Sequence, residues 1–312
     1  MTKRVLVTGG AGYLGSVLVE ALLDSGHAVT VLDDLMYRQE SLLHVCARPG
    51  FEFERGDARD PAVLARLLAG ADAVLPLAAI VGAGACDRDP WKAASVNLDA
   101  IRLLMKLRSP SQLVVYPMTN SGYGSKSGEV FCTEETPLEP VSLYGRTKAE
   151  AEAEVLSAPG TTSLRLATMF GVSPRMRVDL LVNHFTWAAV TDGYLVLFEK
   201  DFKRNFIHVR DVADLFLHVL REPDRVIGRC FNAGLDDANL SKEELALRIK
   251  AHVPSFHVRA SEVGRDPDRR NYVVSSARLR DAGFEARRTL DEGIRELLRG
   301  YRMLPRPGNR NA

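Results

Sequence analysis

The chain has 312 residues, 46% hydrophobic and 26% charged, with 41 basic against 40 acidic side chains and a net charge of +1. This is a soluble globular composition with no global pull toward nucleic acid or an anionic membrane, so an anionic ligand must be met by a local cluster of arginines. Cys46, Cys86, Cys132 and Cys230 are widely spaced without a C-x-x-C pair, which indicates neither a disulfide framework nor a metal site. The longest apolar stretch, residues 73–85, is too short and too glycine-broken to span a bilayer. Met1 leads almost at once into a core strand, leaving no room for a signal peptide, and a cytoplasmic protein is expected.

The first fifteen residues organise the rest. Val5-Leu6-Val7 is the short apolar run of a buried parallel strand, and Thr8-Gly9-Gly10-Ala11-Gly12-Tyr13-Leu14-Gly15 follows with a Gly-x-x-Gly-x-x-Gly spacing. Residues 16–25 then carry apolar side chains at helical intervals. Strand, glycine turn and helix is the order that a dinucleotide pyrophosphate site requires, because the glycines let the backbone approach the phosphates and the helix N-terminus offers free N–H groups. The second strand, residues 27–32, ends in Asp33-Asp34. A carboxylate at Asp33 accepts both ribose hydroxyls of an adenosine and repels a 2′-phosphate, so NAD is expected rather than NADP.

Strand-like and helical patterns alternate onward: strands at 51–55, 73–78, 112–116 and 163–167, and helices at 61–69, 91–107 and 144–156. Such alternation predicts an α/β fold, a Rossmann-type doubly wound parallel sheet with helices on both faces. Beyond Thr168 the pattern loosens. A helix is expected within 175–190, a strand at 205–208, a helix at 209–220, a strand at 231–232, and a helix at 241–253 whose Ser241 and Glu244 have capping-box spacing. The reading is an NAD-binding domain over 1–168, rejoined by 205–232, with a smaller interleaved substrate lobe from 169–204 and 233–304 and a disordered tail at 305–312.

Tyr144-Gly145-Arg146-Thr147-Lys148 is the sharpest catalytic signal. Positions i and i+4 share one helix face, so phenol and ammonium project side by side. A lysine cation stabilises phenolate and lowers the tyrosine pKa, which suits it to take the proton of a sugar hydroxyl while hydride leaves the carbon. His208 and Asp211 have catalytic residue types, yet their position fits anchoring the turn into the next helix.

TGGAGYLG, Asp33, Gly56-Asp57, Leu77-Ala78-Ala79, Asn97, the G-Y-G at 122–124, YGRTK at 144–148 and RNFIHVRDVA at 204–213 occur in that order over nearly the whole chain. Together they resemble the extended short-chain dehydrogenase/reductase superfamily, the nucleotide-sugar epimerases and dehydratases. The resemblance implies Tyr144 as general base, Lys148 on the nicotinamide ribose, and Thr119 hydrogen-bonded to the reacting hydroxyl. Gly9, Gly12, Tyr13, Leu14, Gly15, Asp33, Asp57, Ala58, Leu77, Ala78, Ala79 and Asn97 are then expected around NAD. Thr119, Asn120, Ser121, Thr168, Arg175, Asn183, Arg204 and Arg270 are expected around a nucleoside-diphosphate sugar. A diphosphate needs several guanidinium forks, and Arg175, Arg177, Arg204, Arg269 and Arg270 supply them.

Two departures narrow the reaction. The 4,6-dehydratases carry an Asp-Glu pair after the threonine, where this chain has Asn120-Ser121, so acid–base dehydration is disfavoured. Thr168 replaces an asparagine usual in the family. Segments 35–43, 77–86, 170–183 and 264–275 are similar to the GDP-heptose C4 dehydrogenases, and more loosely to 4-epimerases. The implied activity is oxidation at C4, with a 4-epimerase as the alternative and a non-catalytic NAD-sensing regulator as a reading from another class. A homodimer pairing helices 91–107 and 144–156 is expected.

Overall fold

The computed structural model describes residues 2–126, 131–261 and 270–304. Arg269, the first half of segment 264–275 and the 305–312 tail lie outside them. The first strands are β1 (Arg4–Thr8), β2 (Ala28–Asp33), β3 (Phe51–Arg55), β4 (Ala73–Pro76) and β5 (Leu113–Thr119). They are followed by β6 (Phe131–Cys132), β7 (Thr161–Leu166), β8 (Thr168–Phe170), β9 (Tyr194–Phe198) and β10 (Lys203–His208). β11 (Cys230–Ala233), β12 (Asn239–Ser241), β13 (His257–Ser261) and β14 (Val273–Val274) come last among the described residues.

Seven strands form one parallel sheet in the order β11-β7-β5-β4-β1-β2-β3. In β1, Val5 and Val7 pack with the apolar faces of helices Tyr13–Asp24 and Val209–Arg221. Leu6 faces the opposite layer, with Leu64, Ile101 and Val155 from helices behind the sheet. A strand covered on both faces must be apolar throughout, which is why it reads as an unbroken hydrophobic run. Strand order reverses between β1 and β4, and ligands of such sheets bind in the crevice outside the carboxyl ends at that reversal.

The second half departs from the sequence expectation at one strand. Residues 205–208 do not rejoin the large sheet: β10 lies between β8 and β12 in a separate three-stranded sheet. The main-sheet strand is interrupted at Ala167, and β8 beyond it offers β10 a ladder of its own. Helix Val209–Arg221 does return, packing on helix Tyr13–Asp24, and β11 extends the large sheet beside β7. The helix expected over 91–107 begins at Pro90 and widens into a π turn at Ser95–Asp99 before continuing to Leu107. Among the described residues no helix is long and apolar enough to cross a membrane.

Candidate active site

The glycine turn is built for close approach. Gly9 has φ +72°, and a Cβ there would lie 2.5 Å from the Ala78 nitrogen; one on Gly15 would lie 2.5 Å from the Gly10 carbonyl oxygen. Gly12 begins helix Tyr13–Asp24 without a side-chain cap, and its first turn has no acidic residue. The free N–H groups and the positive helix end are therefore left for an anion. At the end of β2 the Asp33 carboxylate accepts the N–H groups of Ala11 (3.0 Å) and Leu35 (2.8 Å) and the Gln39 amide (3.3 Å). Burial raises its pKa, while the two backbone donors pull it down. Asp57 is gripped by Arg59 at 2.5–3.1 Å, and Arg59 also donates to Ser95 Oγ at 2.9 Å. That side-chain bond holds the Asp57 pKa low. Tyr13, Leu14, Ala58 and Leu77-Ala78-Ala79 line the same wall. An uncapped helix start, glycines that no side chain could replace and a fixed carboxylate together fit NAD.

This wall opens into a cavity of about 660 Å3 that also takes in Thr119, Tyr144 and Lys148. Helix Leu143–Leu156 is started by Ser142, whose hydroxyl accepts the Gly145 N–H at 3.1 Å, and it presents Tyr144 and Lys148 one turn apart. Thr119 stands at the end of β5, its hydroxyl 2.9 Å from Ser121 Oγ. Lys148 is buried with its Nζ 4.1 Å from the Tyr116 ring centroid, and burial lowers its pKa to about 7. Burial raises the Tyr144 phenol to about 12 against the guanidinium charges of Arg177 and Arg270 and a hydrogen bond with Thr119.

On the substrate side, Ser121, Thr168, Arg175, Arg204 and Arg270 line the cavity. Arg175 lies over the Tyr37 ring at 5.1 Å, Arg204 over Tyr272 at 5.8 Å, and Arg270 hydrogen-bonds Ser121 Oγ. Three asparagines expected at the ligands lie behind the wall. Asn97, in the π turn, spans the backbone of Ile80, accepting its N–H at 2.8 Å and donating to its carbonyl at 3.0 Å. Asn183 accepts the Gly171 N–H at 3.1 Å and donates to the Arg177 carbonyl at 2.9 Å. Asn120 is fully buried, and neither amide atom has a hydrogen-bond partner among the described residues. The Asn97 and Asn183 amides are taken up by backbone groups, and none of the three asparagines lines the cavity. Arg59, Gln39, Asp179 and Lys242 line the cavity without having been singled out; no sequence spacing ties them to the motifs.

Sheet order, glycine turn and the Thr119–Tyr144–Lys148 cluster define a Rossmann-type enzyme of the short-chain dehydrogenase kind. The chain belongs to the NAD dependent epimerase/dehydratase family, whose model matches residues 5–234, and NAD is its cofactor. It is 31% identical over 318 residues to a dTDP-glucose 4,6-dehydratase of Streptomyces griseus, covering 96% of this chain and 94% of that one. The dTDP-glucose 4,6-dehydratase structure from Streptomyces venezuelae with NAD bound is 27% identical with a TM-score of 0.82, covering 96% of this chain and 97% of that one. The UDP-glucose 4-epimerase structure from Thermotoga maritima superposes with a TM-score of 0.84 at 22% identity, covering 96% and 99%.

Proposed function

We propose that this enzyme oxidises the C4 hydroxyl of a nucleoside-diphosphate sugar, as a GDP-heptose-like C4 dehydrogenase. The observation that carries the reading is the sharing of one cavity by Thr119, Tyr144, Lys148 and the glycine turn. Thr119 aligns the sugar hydroxyl, Tyr144 takes its proton, and Lys148 orients the nicotinamide ribose. Bound NAD supplies the hydride acceptor. Arg175, Arg204 and Arg270 face the diphosphate. A 4-epimerase uses the same residues, and similarity to epimerases supports it as the second reading. The dehydratase relatives share the fold, yet Asn120-Ser121 offers no carboxyl group for removing water. A cytoplasmic homodimer, paired through helices 90–107 and 143–156, belongs to the same reading. Light scattering of the purified protein tests the dimer.

The protein is incubated with NAD and a panel of GDP-, UDP-, ADP- and dTDP-sugars, including heptoses, while reduced-nicotinamide absorbance and product mass are followed. Lasting NADH with a product two hydrogens lighter is the expected result. An isomer of unchanged mass would establish the epimerase, and loss of water would overturn the reading of Asn120-Ser121. In the Tyr144→Phe variant turnover should fall at least about a thousandfold with NAD still bound; near-normal rates would refute the assignment of the base.

A further inference from the structure

A second cavity, of about 590 Å3, is lined by helix Leu290–Gly300 and by the junction of β10 with helix Val209–Arg221, and it shares no lining residue with the active-site cavity. Its wall holds five arginines against two glutamates. Glu292, Arg295, Glu296 and Arg299 recur at spacings of three or four, which places them on one helix face. Both acids are already engaged. Glu292 closes the capping box, accepting the N–H (2.8 Å) and hydroxyl (2.9 Å) of Thr289. Glu296 accepts the Val172 N–H (2.9 Å) and lies 3.1 Å from His208 Nε2 and 3.4 Å from the Arg210 guanidinium. Arg288 is paired with Asp211 and Asp214 at 2.6 and 2.7 Å. Arg287, Arg295 and Arg299 are exposed and have no ion-pair or hydrogen-bond partner among the described residues. The floor beneath them is fixed. His208 is fully buried, a Cβ on Gly293 would collide with the Phe170 ring, and one on Gly300 would lie 2.9 Å from Val172.

We propose that this cavity is a second anion site, which takes a diphosphate group apart from the site for the sugar nucleotide. Arg295 and Arg299 stand four residues apart and repel each other on the helix until an anion enters between them and Arg287. A guanidinium offers paired N–H donors that match two phosphate oxygens, and it gives up water more readily than an ammonium does. A diphosphate carries enough oxygens and charge to engage all three guanidiniums, whereas a chloride answers only one. The volume falls within the range of about 300–1,000 Å3 usual for small-molecule sites. Inorganic pyrophosphate and a nucleoside diphosphate both carry the group, and Met303 on the wall offers apolar surface to the nucleoside alone.

The NAD-loaded protein is titrated calorimetrically with inorganic pyrophosphate, and separately with GDP and UDP, at constant ionic strength. Pyrophosphate should show a binding event that Arg204→Ser leaves in place and that the double variant Arg295→Ser, Arg299→Ser weakens at least about tenfold. Both replaced side chains are exposed, so the fold is not at stake. Labelling of arginines with phenylglyoxal, read by peptide mass, locates the event. Pyrophosphate should shield Arg287, Arg295 and Arg299, and chloride at the same ionic strength should not. Shielding by GDP or UDP at lower concentration than pyrophosphate supports the site with a nucleotide as its ligand, and the reverse order supports it with free pyrophosphate. Binding unchanged within twofold in the double serine variant overturns the proposal. Equal shielding by chloride also overturns it, reducing the cavity to screened surface charge. Shielding by heparin without shielding by pyrophosphate does the same, marking a surface for a polymeric anion. None of these readings needs turnover, so they stand apart from the sugar-nucleotide assays.

Discussion

Lys148 is buried in a site where its charge is expensive. Its pKa falls from the ordinary 10.5 to about 7, with burial as the cause and Glu152 opposing. The sign of the stability effect follows. Between pH 7 and pH 10.5 the unfolded chain holds this proton and the folded cofactor-free protein does not, so folding stability rises with pH across that window. Replacing Lys148 by Met removes the term. The variant should be more stable than its parent at and below pH 7, with the difference vanishing toward pH 10.5; urea unfolding at several pH values measures it. Asn120, next to Thr119, is a buried amide with no hydrogen-bond partner among the described residues. Its residue type was readable, but whether it faces ligand or core depends on how β5 ends.

At the scale of elements, local spacing was the most legible information. Ser241 and Glu244 form the reciprocal capping box expected three residues apart, and helix Leu143–Leu156 carries Tyr144 and Lys148 as the i, i+4 rule requires. The glycine turn was legible for the same reason. Gly9→Ala should cost about 1–3 kcal/mol in backbone strain at φ +72° and weaken NAD binding at least tenfold, because its Cβ collides with the start of the 77–79 segment. Calorimetric titration with NAD and thermal melts check both effects. Strands β9 and β13 escaped the sequence reading. Tyr194, Val196 and Phe198 are exposed while Leu195 and Leu197 are buried, but the run is apolar on both faces and shows no alternation. Its parallel partner β13 lies some sixty residues on, too far for any local signal.

The whole molecule depends on ties between parts distant in sequence. Asn183 links Gly171, Arg177 and Tyr13, and Tyr301 donates to its carbonyl at 2.8 Å. Asn183→Leu should destabilise the protein by about 1–3 kcal/mol through donors and acceptors left unpaired in the core. It should also weaken sugar-nucleotide binding more than NAD binding, because the segment that carries Arg175 loses its backbone anchors at Gly171 and Arg177 while the glycine turn stays intact. Denaturant unfolding and separate titrations with the two ligands distinguish these effects. A variant that binds both ligands like its parent would show that these ties are not needed to hold the cavity.

From sequence order alone came the parallel sheet, the position of the crevice, the NAD turn with Asp33, and the Tyr144–Lys148 pair. All are set by short-range periodicity and spacing, because chain direction and helix pitch place residues a few positions apart without reference to the rest of the molecule. Tertiary structure decided which of the named residues reach the cavity. It withdrew Asn97, Asn120 and Asn183 behind the wall and sent β10 to a second sheet. Burial and charge at a site are sums over neighbours from distant segments, and no spacing along the chain encodes those sums.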